Sequence, residues 1–320
     1  MALSELGADG INGSRTAEPT TSVADPVVTD VTVCVFAPTA ASPSGCDLDP
    51  RMIWHRVEKE LYLHSSQQTK AWLYVALASA EGLAAEDLLV LEIAVGERPP
   101  PDSSLQPAGH SWECEWESRP CGIWVRRGKS SGKIDQAVTG VDVLFGTDAV
   151  DPRPQWALVR PSLQLDAATP EAPTARLSIH RGRPKRRPDA RPVLRVREDG
   201  SFKIVQVSDT HMVTGVGVCK DAIDADGKNL PESEADPRTA DFIGRILDVE
   251  KPDLVVLTGD QLHHDIPDSQ SALFKVVAPI IERSIPFAAV FGNHDSEGIH
   301  ALSRESLLSY IPYSTILHSQ

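Results

Sequence analysis

The order of apolar and helical runs between residues 202 and 295 constrains the fold more than any other feature of this chain. Phe202 to Val207 (F-K-I-V-Q-V) alternates and then turns polar at Ser208. Asp253 to Thr258 (D-L-V-V-L-T) is a continuous apolar run, the pattern of a strand covered on both faces. Phe287 to Phe291 (F-A-A-V-F) is a third. Between the first two lies D-P-R-T-A-D-F-I-G-R-I-L-D-V-E, with Asp236 placed as an N-cap and Pro237 at the first helical position. Phe242, Ile246 and Val249 follow at helical spacing, with Ile243 and Leu247 beside them, and Pro252 ends the run. Residues 271–283 (S-A-L-F-K-V-V-A-P-I-I-E-R) predict a second helix, kinked at Pro279. A β-α-β-α-β order implies parallel strands joined by right-handed crossovers. All three strands then end at one edge of a sheet, where ligands of open α/β sheets bind.

Each strand stops in residues with metal-binding chemistry. The first gives Ser208-Asp209-Thr210-His211, the second Gly259-Asp260, and the third Gly292-Asn293-His294-Asp295. A lone D-x-H or G-D carries almost no information, and an Asn-rich turn after a strand is ordinary. Their joint occurrence at three strand ends of one frame is hard to read as turns alone. Carboxylate, amide and imidazole donors suit Mn, Fe or Zn. A carboxylate shared by two ions holds them roughly 3.5–4 Å apart, the geometry of two-metal phosphoester hydrolysis.

The N-terminal half reads differently. Residues 1–26 are rich in Ser, Thr, Ala, Gly, Asp and Glu without periodicity, as in disordered segments. Residues 27–180 hold all six tryptophans and short strand-like runs between turn signals. T-V-C-V-F, A-W-L-Y-V-A-L, L-L-V-L-E-I-A-V, G-I-W-V, V-D-V-L-F, Q-W-A-L-V and A-R-L-S-I predict a β-rich module of sandwich or barrel type, with W-H-R-V-E-K-E-L as a helix near its start. No catalytic constellation shows there, and His55, His64 and His110 are isolated.

Residues 181–200 form a basic, proline-rich linker, with eight Lys or Arg against one Asp from 181 to 197. R-G-R-P resembles a minor-groove reader and P-K-R-R a nuclear import signal, both short patterns of low specificity. The net charge of −14 argues against nucleic acid as a partner of the whole chain. No run of about 20 apolar residues offers a membrane span, and the start of the chain lacks a secretory signal. The expected location is therefore cytoplasmic or nuclear. Five cysteines without a C-x-x-C point to reduced thiols, with Cys34–Cys46 or Cys114–Cys121 the pairs available under oxidising conditions.

D-x-H, then G-D, then G-N-H-D resembles the calcineurin-like metallophosphoesterase superfamily. The longer text, including W-H-R-V-E-K-E-L-Y-L, V-D-V-L-F-G-T-D-A-V-D-P-R-P-Q-W and P-D-L-V-V-L-T-G-D-Q-L, resembles its fungal Dcr2-type branch. The resemblance implies an α+β chain: the β-rich module, then the first βαβαβ half of a metallophosphoesterase sandwich over residues 201–320. It implies two divalent metal ions, with Asp209 and His211 on the first, Asp260 bridging, and Asn293 on the second. His294 would face the phosphate as general acid, a bridging hydroxide would be the nucleophile, and Asp295 would lie behind the ligands. The implied substrates are phosphomonoesters, as small molecules or phosphoproteins.

Three departures qualify that expectation. Such proteins carry a further histidine ligand and a G-H-x-H pair after G-N-H-D. Only His300 and His318 follow His294, in other contexts. An incomplete shell, and a chain truncated at its C-terminus, are expected. The 51-residue step from Asp209 to Asp260 includes a long surface loop with a D-A-D-G that lacks the later Glu of a calcium loop. G-D-Q-L-H-H differs from the G-D-x-V-D-R-G of the main Ser/Thr phosphatases, and His263 and His264 read as surface residues within reach of the phosphate. The competing reading is a catalytically inactive fragment that acts as a binding module.

Overall fold

A computed structural model describes residues 25–36, 46–63, 69–101, 115–130, 134–165, 174–183, 194–229, 233–297 and 302–310. The N-terminal tail, the 184–193 part of the basic linker, and Cys114, His64, His110, His300 and His318 lie outside the described residues.

The first half contains β1 (Pro26–Phe36), β2 (Ile53–Glu60), β3 (Lys70–Ser79), β4 (Leu88–Val95), β5 (Trp116–Arg119), β6 (Ile123–Lys129), β7 (Val138–Phe145), β8 (Trp156–Leu158) and β9 (Ala175–Arg181). They form three antiparallel sheets ordered β1-β3-β2, β4-β6-β5 and β7-β9-β8. All three sheets contribute to one core. Val31 and Leu73 come from the first, Val90 and Val125 from the second, Phe145 and Leu177 from the third. Residues 53–60 are a strand, not the expected helix. Their partner β3 sets the conformation: Trp54 pairs with Ala76 and Arg56 with Tyr74. In a strand, residues two apart share a face, and Arg56 accordingly meets Glu58 at 2.7 Å. Cys34 and Cys46 are joined in a disulfide, which corrects the expectation of reduced thiols for that pair.

The second half contains β10 (Ile204–Val207), β11 (Val218–Cys219), β12 (Ser233–Glu234), α1 (Asp236–Glu250), β13 (Leu254–Leu257), α2 (Ser269–Glu282), β14 (Phe287–Ala289) and α3 (Arg304–Tyr310). Strands β10, β13 and β14 are parallel, with β13 central, as the β-α-β-α-β order requires. The long loop before α1 carries the small β11–β12 ladder. Helix α1 begins at Asp236 itself, with Ala235 as N-cap. The Asp236 carboxylate is drawn elsewhere, accepting from Val213 N at 2.9 Å. The α1 stripe facing the core is Ile243 and Leu247, while Phe242 and Val249 are exposed. Lys251, left-handed and followed by Pro252, ends the helix. Helix α2 is assigned unbroken through Pro279 and is buried from Ser269 to Ile280. Its N-cap is Asp268, whose carboxylate accepts from Ser271 N at 2.8 Å.

Burial of α2 on every side follows from what flanks it. Leu273, Val276 and Val277 pack with β13 and β14 residues, and Phe274 packs with Leu144 and Ala149 of the first half. Polar groups cross the same boundary. Ser271 Oγ accepts from Phe145 N at 2.8 Å, and Gln270 Nε2 donates to Asp142 at 2.9 Å. Lys275, 4% exposed, donates to Asp148 at 2.8 Å and also to Asp236 and Gly215 O. One ammonium thus ties the β-rich half, the start of α1 and the loop after His211. Among the described residues no helix is long and apolar enough to cross a membrane.

Two outcomes are expected. Lys275→Met leaves two buried carboxylates facing each other, and lowers unfolding free energy by about 3–5 kcal/mol in urea titrations. Burial alone would raise the Asp142 carboxyl, but Lys59, Arg153 and Gln270 outweigh it and hold it below the ordinary 3.8. A depressed carboxyl stabilises the fold fully above its unfolded value and loses that contribution as pH falls through the folded one. Thermal stability measured against pH should therefore drop below about 4, and less steeply in Asp142→Asn.

Candidate metal centre

The three strand ends meet as the frame requires. One ligand atom each from Asp209, His211 and Asp260 lies within 4.8 Å of the others. All three residues have left-handed backbone, with φ of 56°, 45° and 51°. Such conformations cost of order 1–3 kcal/mol each in a non-glycine residue and gather at functional sites. The loops carrying them are cross-bonded, with Asp209 N donating to Gly259 O at 3.1 Å and His211 N to Asp260 O at 3.2 Å. Gly259 is left-handed, and a Cβ there would sit 2.7 Å from Gly292 N. A Cβ on Gly292 would collide with the Asp260 carboxylate. Both glycines are required by this backbone-to-backbone approach.

Asp295 organises the edge. Its carboxylate is buried and accepts from the backbone N–H groups of Asp260 (2.9 Å), Gly292 (2.7 Å) and Leu262 (2.8 Å). It locks the third strand end to the second. His294 N in turn donates to Asp260 Oδ1 at 3.0 Å. The His294 ring is about one-third exposed, and its Nδ1 lies 2.9 Å from Glu297 Oε2, out of line for a hydrogen bond. Asn293 is exposed at the start of the one-turn 3-10 helix His294–Ser296, and its side chain makes no cap bond. Ser208 Oγ donates to the Asp209 carboxylate.

Two sets of residues here were missed or undervalued in the sequence. Gln261, almost fully buried, donates to Gly259 O at 2.8 Å and Val207 O at 3.2 Å, while its Oε1 accepts from Thr210 Oγ1 at 3.1 Å. No local pattern marks such a residue, since two of its partners, Val207 O and Thr210 Oγ1, come from another strand end. His263 and His264 do not point away from the site: their rings join those of His211 and His294. Partial burial, then the neighbouring imidazoles of His264, His211 and His294, hold His263 below the ordinary histidine range.

A family profile described as calcineurin-like phosphoesterase matches residues 202–318, which include every one of these strand ends. Residues 202–318 are thus similar to the calcineurin-like phosphoesterases. The similarity extends to a relative of the Dcr2 type. The chain is 37% identical to Phosphatase DCR2 of Saccharomyces cerevisiae, over 55% of this chain and 30% of that protein. It is 30% identical to an uncharacterized protein of Schizosaccharomyces pombe, over 82% of this chain and 48% of the relative. It is also 38% identical to a probable inactive purple acid phosphatase of Arabidopsis thaliana, over 37% of this chain and 29% of the relative. The chain thus spans half or less of the length of these relatives. The family implies divalent metal ions, and the Asp209, His211 and Asp260 donors fit them: two carboxylates and an imidazole, gathered by strained backbone at one sheet edge.

Asp295→Ala removes one acceptor for three backbone donors. It should lower unfolding free energy by about 3 kcal/mol, with Asp295→Asn between it and the parent in denaturant titrations.

Proposed function

We propose that this chain carries the metal-dependent hydrolysis of phosphomonoesters, with phosphoproteins among its candidate substrates. The observation that carries the reading is the convergence of Asp209, His211 and Asp260 on left-handed backbone. Asp209 and His211 would hold a first divalent ion, Asp260 would serve both ions, and Asn293 would hold a second. Bound ions supply Lewis acidity to the phosphoryl group and acidify an attacking water. The protein's own part is positional and acid–base. Asp295 fixes the backbone of the Asp260 and Gly292 turns, so Asp260 needs no rearrangement to bind. His294, anchored through its N–H to Asp260, holds a proton at its ring for the leaving oxygen.

A second reading is supported by the relative named as a probable inactive purple acid phosphatase, which matches 37% of this chain at 38% identity. On that reading the chain binds metal or a partner without turnover.

Purified chain should take up manganese and hydrolyse p-nitrophenyl phosphate, and Asp260→Ala should lose both. The expected loss of turnover is at least about 100-fold, the scale of removing a group that stabilises developing charge. Metal uptake with no turnover in the parent favours the non-catalytic reading, and absence of uptake removes the catalytic one.

A further inference from the structure

The loop after Asp260 carries two imidazoles that the ligand set does not use. This loop is well anchored. Met212 and Leu262 form a parallel bridge and are buried. Leu262 N donates to Asp295, and His263 N donates to Met212 O at 3.0 Å. The backbone of His263 is thus fixed from both neighbouring strand ends.

The rings complete a circuit. His263 and His264 stack with centroids 4.2 Å apart and planes inclined by 30°. His264 lies 5.4 Å from His294, His294 5.2 Å from His211, and His211 6.2 Å from His263. His263 Nδ1 receives the Asp265 backbone N–H at 3.4 Å, which favours the proton on Nε2. His264 is exposed, and no burial penalty opposes its meeting a ligand from solvent.

Such a rim has a chemical sense. Asp209 and Asp260 bring negative charge to the edge and repel an anion until it is neutralised. A phosphoryl group presents several oxygens and needs N–H donors for those that face away from the ligand edge. Among the four imidazoles, His264 is outside the ligand set and has the most open approach.

We propose that His263 and His264 form a phosphate-binding wall of the site, in which His264 donates a hydrogen bond to a non-bridging phosphoryl oxygen and His263, stacked on it, fixes its ring. This rests on the phosphoesterase reading above and adds a substrate contact to it. His264 is the contacting residue and His263 a positioning residue.

The test measures inorganic phosphate binding and manganese binding separately, by calorimetry on the 320-residue chain, its manganese-loaded form being used for phosphate. His264→Ala should weaken phosphate binding about 10-fold or more, the scale of a hydrogen bond to a charged group. Manganese affinity should stay within about twofold, because His264 is outside the ligand set. His264→Gln, which keeps an N–H donor, should recover part of the phosphate affinity, and His263→Ala should show a smaller loss than His264→Ala. Equal phosphate binding by parent and His264→Ala overturns the inference and leaves the phosphoesterase reading standing. A parallel fall in manganese affinity also overturns it, making the histidine a metal ligand. A parent that binds manganese but no phosphate overturns both.

Discussion

One buried carboxylate holds the functional edge of this protein together. Asp295 accepts backbone N–H bonds from Asp260, Leu262 and Gly292, residues on two strand ends 30 or more positions apart in sequence. Each of those donors sits where the chain leaves regular sheet, so the ladder no longer satisfies it. A buried N–H without an acceptor costs roughly 1–3 kcal/mol, and one side chain here answers three. The left-handed conformation of Asp260 and the contact between Gly259 and Gly292 are sustained by that arrangement. The backbone geometry of the candidate ligand residues is therefore a property of the turns and what ties them.

Much of this was legible in the sequence because it is written locally. Seven strand-like runs in the first half are all strands, and the β-α-β-α-β order forms its parallel sheet. Asp209, His211 and Asp260 meet as the common strand edge dictates. What the sequence hid was set by distant partners. Residues 53–60 have the charge spacing of a helix, yet pairing with β3 makes them a strand. Phe242 and Val249 look like a core stripe until the neighbouring sheet and α2 select Ile243 and Leu247 instead. Gln261 acts largely on main-chain groups, which no residue pattern announces.

The β-rich half bears on the site through a short chain of contacts. Asp148 meets Lys275, Lys275 meets Asp236 and Gly215 O, and Asp236 holds Val213 N, two residues after His211. Gly146 brings the module's backbone against Gly215 itself: a Cβ there would sit 3.0 Å from its Cα. The module is thus placed to brace the first ligand loop from behind, on the side opposite solvent.

Helix α2 has a consequence of its own. Its residues from Ser269 to Ile280 are buried, shared between the parallel sheet on one side and the third antiparallel sheet on the other. A wall common to two cores cannot melt with one and stay folded with the other. The two halves, so different in sequence texture, are therefore bound into one cooperative unit: thermal opening of either exposes the same helix, and the metal-ligand loops survive only as long as the antiparallel sheets do.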